Sequence, residues 1–326
     1  MSFRVSDAPL VTDWERLADR YPENPFCTAP FIESHRDKGV QPLLLELEES
    51  SQCYVACAAF LNEGALTRRI IIHSAPDARQ GTVSFWAAVA DFCRRSHVSE
   101  LEVHTFGSSP STIPDLGHVL WRRPRVEFVL DLDRHSGNAL ATNHRRNIAK
   151  AERASITIHA TRAEARCEIH AELMRASLAR RTALGEQVNS NGEEFLQAAQ
   201  LVKAGAGTLF QAVLDSESEV LSSMLVLKAK QGAYYHSAGS SAKGMELGSS
   251  HLLVRKIAEI LKAEGILRFN LGGAHSEGLR RFKAGFGARV VELESAAFFL
   301  TGRARRQVVK MLRAARGQLR EMRARR

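Results

Sequence analysis

Residues 232–287 read GAYYHSAGSSAKGMELGSSHLLVRKIAEILKAEGILRFNLGGAHSEGLRRFKAGFG, and the fold turns on this stretch. Ala233–Ala238 predicts a strand, Gly239–Gly248 a Gly/Ser-rich loop, and Ser249–Ala263 a helix. In that helix Leu252, Leu253, Ile257, Ile260 and Leu261 share one face, while Arg255, Lys256, Glu259 and Lys262 lie on the other. Gly265 stops the helix at the C′ position. Ile266–Leu271 is the next strand, Gly272-Gly273 a turn, and a short helix follows. A helix that opens from a polar glycine-rich loop aims free N–H groups at it and favours an anion there, such as a pyrophosphate or a nucleic-acid phosphate. Any strand–helix crossover has such a loop, so the feature alone does not decide for a ligand.

Two blocks carry a family resemblance. The first is LRFNLGGAHSEGLRRFKAGFG, residues 267–287, and the second is NHRRNIAKAER, residues 143–153. In order and spacing they resemble the closing segment and the basic opening helix of the GNAT-type domain in FemAB-like acyltransferases, the peptidoglycan-bridge and cellulose-biosynthesis types included. The likeness covers residues 130–300 well and the N-terminal part in outline. It implies an α+β fold of tandem GNAT-like domains, each a mostly antiparallel mixed sheet flanked by helices. It also implies transfer of an acyl or aminoacyl group, from CoA or tRNA, to an amine that is often part of a cell-envelope precursor.

The rest of the chain is compatible with two such halves. Strands are expected over 43–48, 54–61 and 66–73, a helix over Gly81–Arg95, and strands over 101–106 and 128–132. Residues 76–81 are a poor substitute for a glycine-rich loop, so this first half is expected to support the site without catalysing. A basic helix over Ala139–Ala154 opens the second half, followed by a strand at Ile156–Ala160, two helices and two antiparallel strands. Strands at 290–294 and 296–300 close its sheet. The expected division is 1–134 for a degenerate GNAT-like domain, 135–301 for the acyltransferase domain, and 302–326 for a basic amphipathic helix.

The net charge of +9 resides in that last segment. Between Arg303 and Arg326 stand ten basic residues and one acid, Glu321, so the preceding residues sum to zero. The high pI therefore does not make the folded body a polyanion binder. Val308, Leu312, Ala315, Leu319 and Met322 give the tail a narrow apolar stripe. Such a helix suits packing on the body, an anionic membrane surface or tRNA phosphates. The five cysteines show no zinc-site spacing, and their odd, scattered placement suits reduced thiols in a reducing compartment. The expected location is cytoplasmic, with a peripheral position at the inner membrane surface open through the tail. No metal is expected.

Acyl transfer to an amine needs a neutral amine, donors for the carbonyl oxygen and stabilisation of the leaving group. Lys283 leads the catalytic candidates. It matches the lysine of the family's "FK" pair, which the resemblance places at substrate or leaving-group charge. His236 suits a base, and equally a hydrogen-bonded histidine in a half-buried strand. Alternation puts it on one face with Tyr234 and Ala238, opposite Tyr235 and Ser237. Tyr235 suits a proton donor to the leaving group, and Tyr234 a contact with the acceptor. The donor is expected at Gly239, Ser240, Lys243, Gly244, Gly248 and Ser249. Here KGMELG departs from the usual CoA-binding run and leaves aminoacyl-tRNA open as donor. Arg145, Arg180 and Arg181, at positions where the family often carries arginine, and Phe282 are the remaining substrate-binding candidates. Adjacent arginines on a helix point about 100° apart, so Arg145 and Arg146 do not both face a cleft. The acceptor is expected to enter between the halves. A third reading is a non-catalytic envelope-assembly scaffold with a degenerate acyltransferase fold.

Overall fold

A computed structural model describes residues 1–36, 39–49, 52–64, 67–76, 82–106, 113–134, 140–186 and 194–302. In chain order the elements begin β1 (Ser2–Ser6), α1 (Val11–Arg20), α2 (Ala29–Glu33), β2 (Gln41–Glu49) and β3 (Gln52–Glu63). Then come β4 (Arg68–Ile72), α3 (Thr82–Arg95), β5 (Glu100–His104), β6 (His118–Asp131) and α4 (Thr142–Arg153). The chain continues with β7 (Ile156–Thr161), α5 (Arg166–Ala183), α6 (Glu194–Lys203), β8 (Gly207–Leu214) and β9 (Glu219–Lys228). It ends with β10 (Gly232–Ser240), α7 (Ala242–Leu247), α8 (Ser249–Ala263), β11 (Arg268–Gly273), α9 (Glu277–Ala284) and β12 (Arg289–Phe299).

Two compact units result, and neither is a continuous piece of chain. Among the described residues the first holds those of 1–9, 38–124 and 293–302, and the second those of 10–37 and 125–292. In the first, the strand order is β1-β2-β3-β4-β5-β12. Only β4 and β5 are parallel, and α3 crosses between them. In the second, the order β7-β8-β9-β10-β11-β6 repeats the plan: an antiparallel meander, a helical crossover through α8, a parallel fifth strand and an antiparallel sixth. The sixth strand in each case is supplied from elsewhere in the chain: β12 for the first unit, residues 125–131 of β6 for the second. These observed units differ from the linear division at 134/135, because a split by position cannot register an exchange of strands or the docking of residues 10–37.

The cores follow from side-chain parity. In the first unit Leu43, Leu45, Cys57, Ala59, Ile70 and Ile72 alternate inward beneath Phe85, Trp86 and Val89 of α3. In the second, Phe210, Ala212, Met224 and Val226 face Leu252, Leu253, Ile257 and Leu261 of α8. The stripe read on α8 is thus its buried face, and Gly265 follows it at φ +82°, which glycine adopts without a Cβ penalty. The opposite face of this sheet carries α5, packed on β9 and β10.

Three local expectations need correction. β6 starts well before Phe128, because its solvent-facing polar residues mask the strand pattern. The two strands expected at 290–294 and 296–300 are one continuous strand, β12, which ends at Phe299. The Gly239–Gly248 loop is mostly ordered structure: Gly239 and Ser240 finish β10, and the Ser241 hydroxyl caps α7 by accepting from the Gly244 N–H at 3.0 Å. Residues 303–326, where the basic helix is expected, lie outside the described residues. Among the described residues no helix is long and apolar enough to cross a membrane. Cys27, Cys57, Cys93 and Cys167 are buried thiols outside any disulfide.

Candidate active site

The site begins where two parallel strands part. β10 and β11 pair only through Gly232–Tyr234 and Arg268–Asn270. Beyond that point β10 stays with β9, β11 stays with β6, and a wedge opens between them. Both strands are irregular at the parting. β10 shifts register between Tyr235 and Ser237, leaving His236 as the extra residue of a bulge. β11 shifts between Asn270 and Gly273, where Gly272 takes φ +71° and its N–H donates to Asn270 Oδ1 at 2.7 Å. A side chain on Gly272 would meet the Tyr235 carbonyl and the Tyr234 hydroxyl, so the glycine also makes room for the two tyrosines.

Lys283 reaches into this wedge from α9, whose first turn is capped by the Ser276 hydroxyl. The side chain is buried. Its Nζ donates to the carbonyls of Leu271 and Gly273, both at 2.5 Å, and lies 4.9 Å from the centre of the Tyr235 ring. Burial lowers its pKa from 10.5 to about 8, partly opposed by the Glu127 carboxylate. An ammonium has three donors, so the two carbonyls leave one for a ligand.

The sequence reading missed the acid beneath it. Glu127 is 1% exposed. It accepts from Arg125 Nη1, from Asn270 Nδ2 at 2.7 Å and from the Tyr234 hydroxyl. Phe26, from the segment ahead of β2, packs edge-on against Tyr234 at 5.1 Å. Burial pushes the Tyr234 phenol well above the ordinary tyrosine range. It raises Tyr235 to about 12, with Arg181 pulling the other way. A lone Glu in the apolar run VEFVLDL and a lone Asn in RFNLGG are the sequence signals for this network. A buried acid or amide in a strand needs a partner.

The sequence candidates are not all brought together. Tyr234, Tyr235 and Lys283 converge on the wedge, and Arg181 is near enough to influence the Tyr235 phenol while its Nε pairs with Glu186 at 2.8 Å. His236 sits at the bulge with Nδ1 3.4 Å from Ser237 Oγ, so the simple alternation that placed these two on opposite faces does not hold. Arg180 grips the backbone instead: its Nη2 donates to the Ser240 carbonyl and to Ser177 Oγ.

Arg145 and Phe282 lie elsewhere. Arg145 is on the exposed face of α4, donating to Thr142 Oγ1 at 3.2 Å. The inward residue is its neighbour His144, whose Nε2 donates to the Phe282 carbonyl at 2.8 Å. Phe282 joins an aromatic cluster with His144, His251 and Phe286.

The expected donor loop does not form an open anion cradle. Lys243 is held by Glu217 at 2.6 Å and Glu219 at 3.0 Å. A Cβ on Gly239 would strike the backbone of Leu173 and Met174, one on Gly244 the Leu221 carbonyl, and one on Gly248 the Asn147 carbonyl. These glycines serve close packing of α5, β9 and α4. Ser249 is buried, bonding to the Gly244 carbonyl at 2.9 Å and to Ser222 Oγ at 2.5 Å, and Ser240 Oγ bonds to Ser222 and Ser250. The protein's own side chains crowd the start of α8. Among the described residues no group of three or more His, Cys, Asp or Glu is arranged to hold a metal ion.

Comparison with known proteins agrees with this architecture. Residues 139–284, from α4 to the end of α9, match the acetyltransferase (GNAT) domain family. The matched stretch contains β10, β11 and Lys283. Among solved structures, FemX superposes with a TM-score of 0.66 at 11% identity over 90% of this chain and 97% of its own. L-PGS from Bacillus licheniformis gives 0.56 at 16% identity over 95% and 97%. A tandem GNAT protein from the clavulanic acid biosynthesis pathway gives 0.52 at 13% identity over 92% and 99%. At these identities the likeness is one of fold. No curated protein matches the chain in sequence. The tandem GNAT-like α+β fold implied by the FK and basic-helix blocks is therefore the fold observed.

Proposed function

We propose that this protein is an N-acyltransferase and that the acyl carbonyl is held in the wedge between β10 and β11. The observation that carries this reading is the buried lysine at the point where the strand ladder ends. Backbone past Tyr234 has no ladder partner on the β11 side, so its amides suit a carbonyl oxygen gaining negative charge. Lys283, mostly ammonium at neutral pH, supplies a cation beside that charge. The amine nitrogen forms a bond to the acyl carbon, His236 takes the amine proton, and the bond to the leaving sulfur or oxygen breaks. Tyr235 returns a proton to the leaving atom. No enzyme nucleophile is needed.

The donor proposed from the fold is an acyl-CoA, probed first with acetyl-CoA. A specific observation favours a second reading, an aminoacyl ester of tRNA: the start of α8 is filled by Ser249 and by the packing of Gly248 on Asn147. The acceptor proposed is a primary amine on a small molecule or an envelope precursor. The test is to offer acetyl-CoA, long-chain acyl-CoAs and aminoacyl-tRNA with a panel of amines and to detect the amide product by mass spectrometry. Product from one donor class, lost in Lys283→Met, supports the reading. No amide from any donor overturns it. If tRNA is the donor, affinity falls steeply with salt and with deletion of residues 303–326.

A further inference from the structure

The mechanism above does not use His170, a histidine in the middle of α5 that is 0% exposed. Its two ring nitrogens each lie 2.9 Å from a serine hydroxyl: Nδ1 from Ser223 on β9 and Nε2 from Ser237 on β10. Ser237 is the residue that resumes pairing with β9 after the bulge. His170 therefore spans two neighbouring strands and holds the one whose register has just shifted.

The rest of α5 tightens the same hold. One turn on from His170, the Leu173 and Met174 backbone lies against Gly239 so closely that a Cβ there would sit 2.2 Å away. One turn further, Ser177 Oγ accepts from the Ser240 N–H at 2.9 Å, and Arg180 donates to the Ser240 carbonyl. Residues 237, 239 and 240 are thus each held from α5. Burial, with a smaller contribution from His236, lowers the His170 pKa to about 4 and keeps the ring neutral.

An apolar residue with alanines at 223 and 237 would fill this space without desolvating a ring and two hydroxyls. What a satisfied polar network adds is one preferred arrangement over its competitors. The competitor here is a slipped register: a one-residue shift turns every following side chain of β10 to the other face.

We propose that His170 is a positioning residue: through Ser237 it fixes the β10 bulge, so that the backbone of residues 235–237 stays aimed into the wedge where the acyl group is transferred. This rests on the acyltransferase reading. The hydrogen bond from the bulge to His170 is the part that stands on geometry alone.

The experiment compares the full-length protein with His170→Leu, His170→Asn and the double variant His170→Leu/Ser237→Ala. The double variant removes the stranded Ser237 hydroxyl, so it separates loss of positioning from loss of polar satisfaction. Amide hydrogen exchange of residues 235–239 is read beside kcat and KM. The expected result is exchange at 235–239 faster by about tenfold, and kcat lower by about tenfold or more with KM for the donor little changed. The double variant should recover thermal stability and not kcat, and the asparagine, which keeps one hydrogen bond, should fall between. Unchanged exchange at 235–239 overturns the proposal whatever the activity. Faster exchange with an unaltered kcat overturns it as well. If the wild-type chain transfers no acyl group, the acyltransferase reading has failed, and the exchange data alone decide whether His170 holds the bulge. Should His170→Leu not fold, Ser237→Ala alone carries the same two readouts.

Discussion

The Lys283 ammonium lies 4.9 Å from the centre of the Tyr235 ring, at the point where β10 and β11 stop pairing. A residue of α9 and a residue of β10 thus meet across the opening of the sheet. The aromatic face and two carbonyls hold the cation in place of water. The hold is incomplete, and the lysine pKa falls to about 8.

Stability should record that buried lysine. Its folded pKa lies below the ordinary 10.5. Between about 8 and 10.5 the unfolded chain binds more protons, so stability rises with pH over that window. Below about pH 8 both states are protonated and the full cost, on the order of 3 kcal/mol, is present. Lys283→Met lacks this dependence. In urea unfolding, wild type should gain on the variant between about pH 7 and about pH 10. Parallel behaviour would mean that the amine is not desolvated.

Catalysis should respond in the opposite sense. The ammonium is the form assigned to charge stabilisation, so kcat should fall as pH rises through about 8. A kcat that climbs through the same range would instead assign Lys283 the role of base.

Glu127→Gln should destabilise the protein by about 2 kcal/mol or more, because it removes the buried carboxylate charge that the Arg125 guanidinium pairs with and weakens the bonds to Asn270 and Tyr234. Glu127 also holds the Lys283 pKa up, so the variant should titrate Lys283 at lower pH. A pH–rate midpoint that does not move would separate the two groups electrostatically.

Gly239→Ala should cost about 1–3 kcal/mol, because the added methyl meets the α5 backbone. Were this glycine part of a donor cradle only, the variant would keep its stability and lose donor affinity. Denaturant midpoints and donor titrations on one preparation distinguish the two.

Lys243→Ala should leave donor Kd unchanged, since the amine is engaged by Glu217 and Glu219 at the surface. A loss of donor affinity would return the α7 region to the binding site.

Several features were legible before any coordinates. The period of Leu252, Leu253, Ile257 and Leu261 matches the face that α8 buries. The FK block brought Lys283 forward, and the fold buries it in the wedge. Arg145 misled because its charge drew notice, while packing chose His144 one position away. The KGMELG segment reads as loop because of its glycines, but Gly244 and Gly248 answer to the carbonyls of Leu221 and Asn147, both distant in sequence.

Repeating apolar spacing and helix stops are local properties, and from them the sequence by itself determined the order of the principal strands and helices, the helix between the strands at 233–238 and 266–271 included. The wedge, the bulge at His236, the burial of Glu127 and the exchange of β6 and β12 were decided only in the tertiary structure. Each depends on where a strand's hydrogen-bonding ladder ends, and that point is set by partners brought in from other parts of the chain.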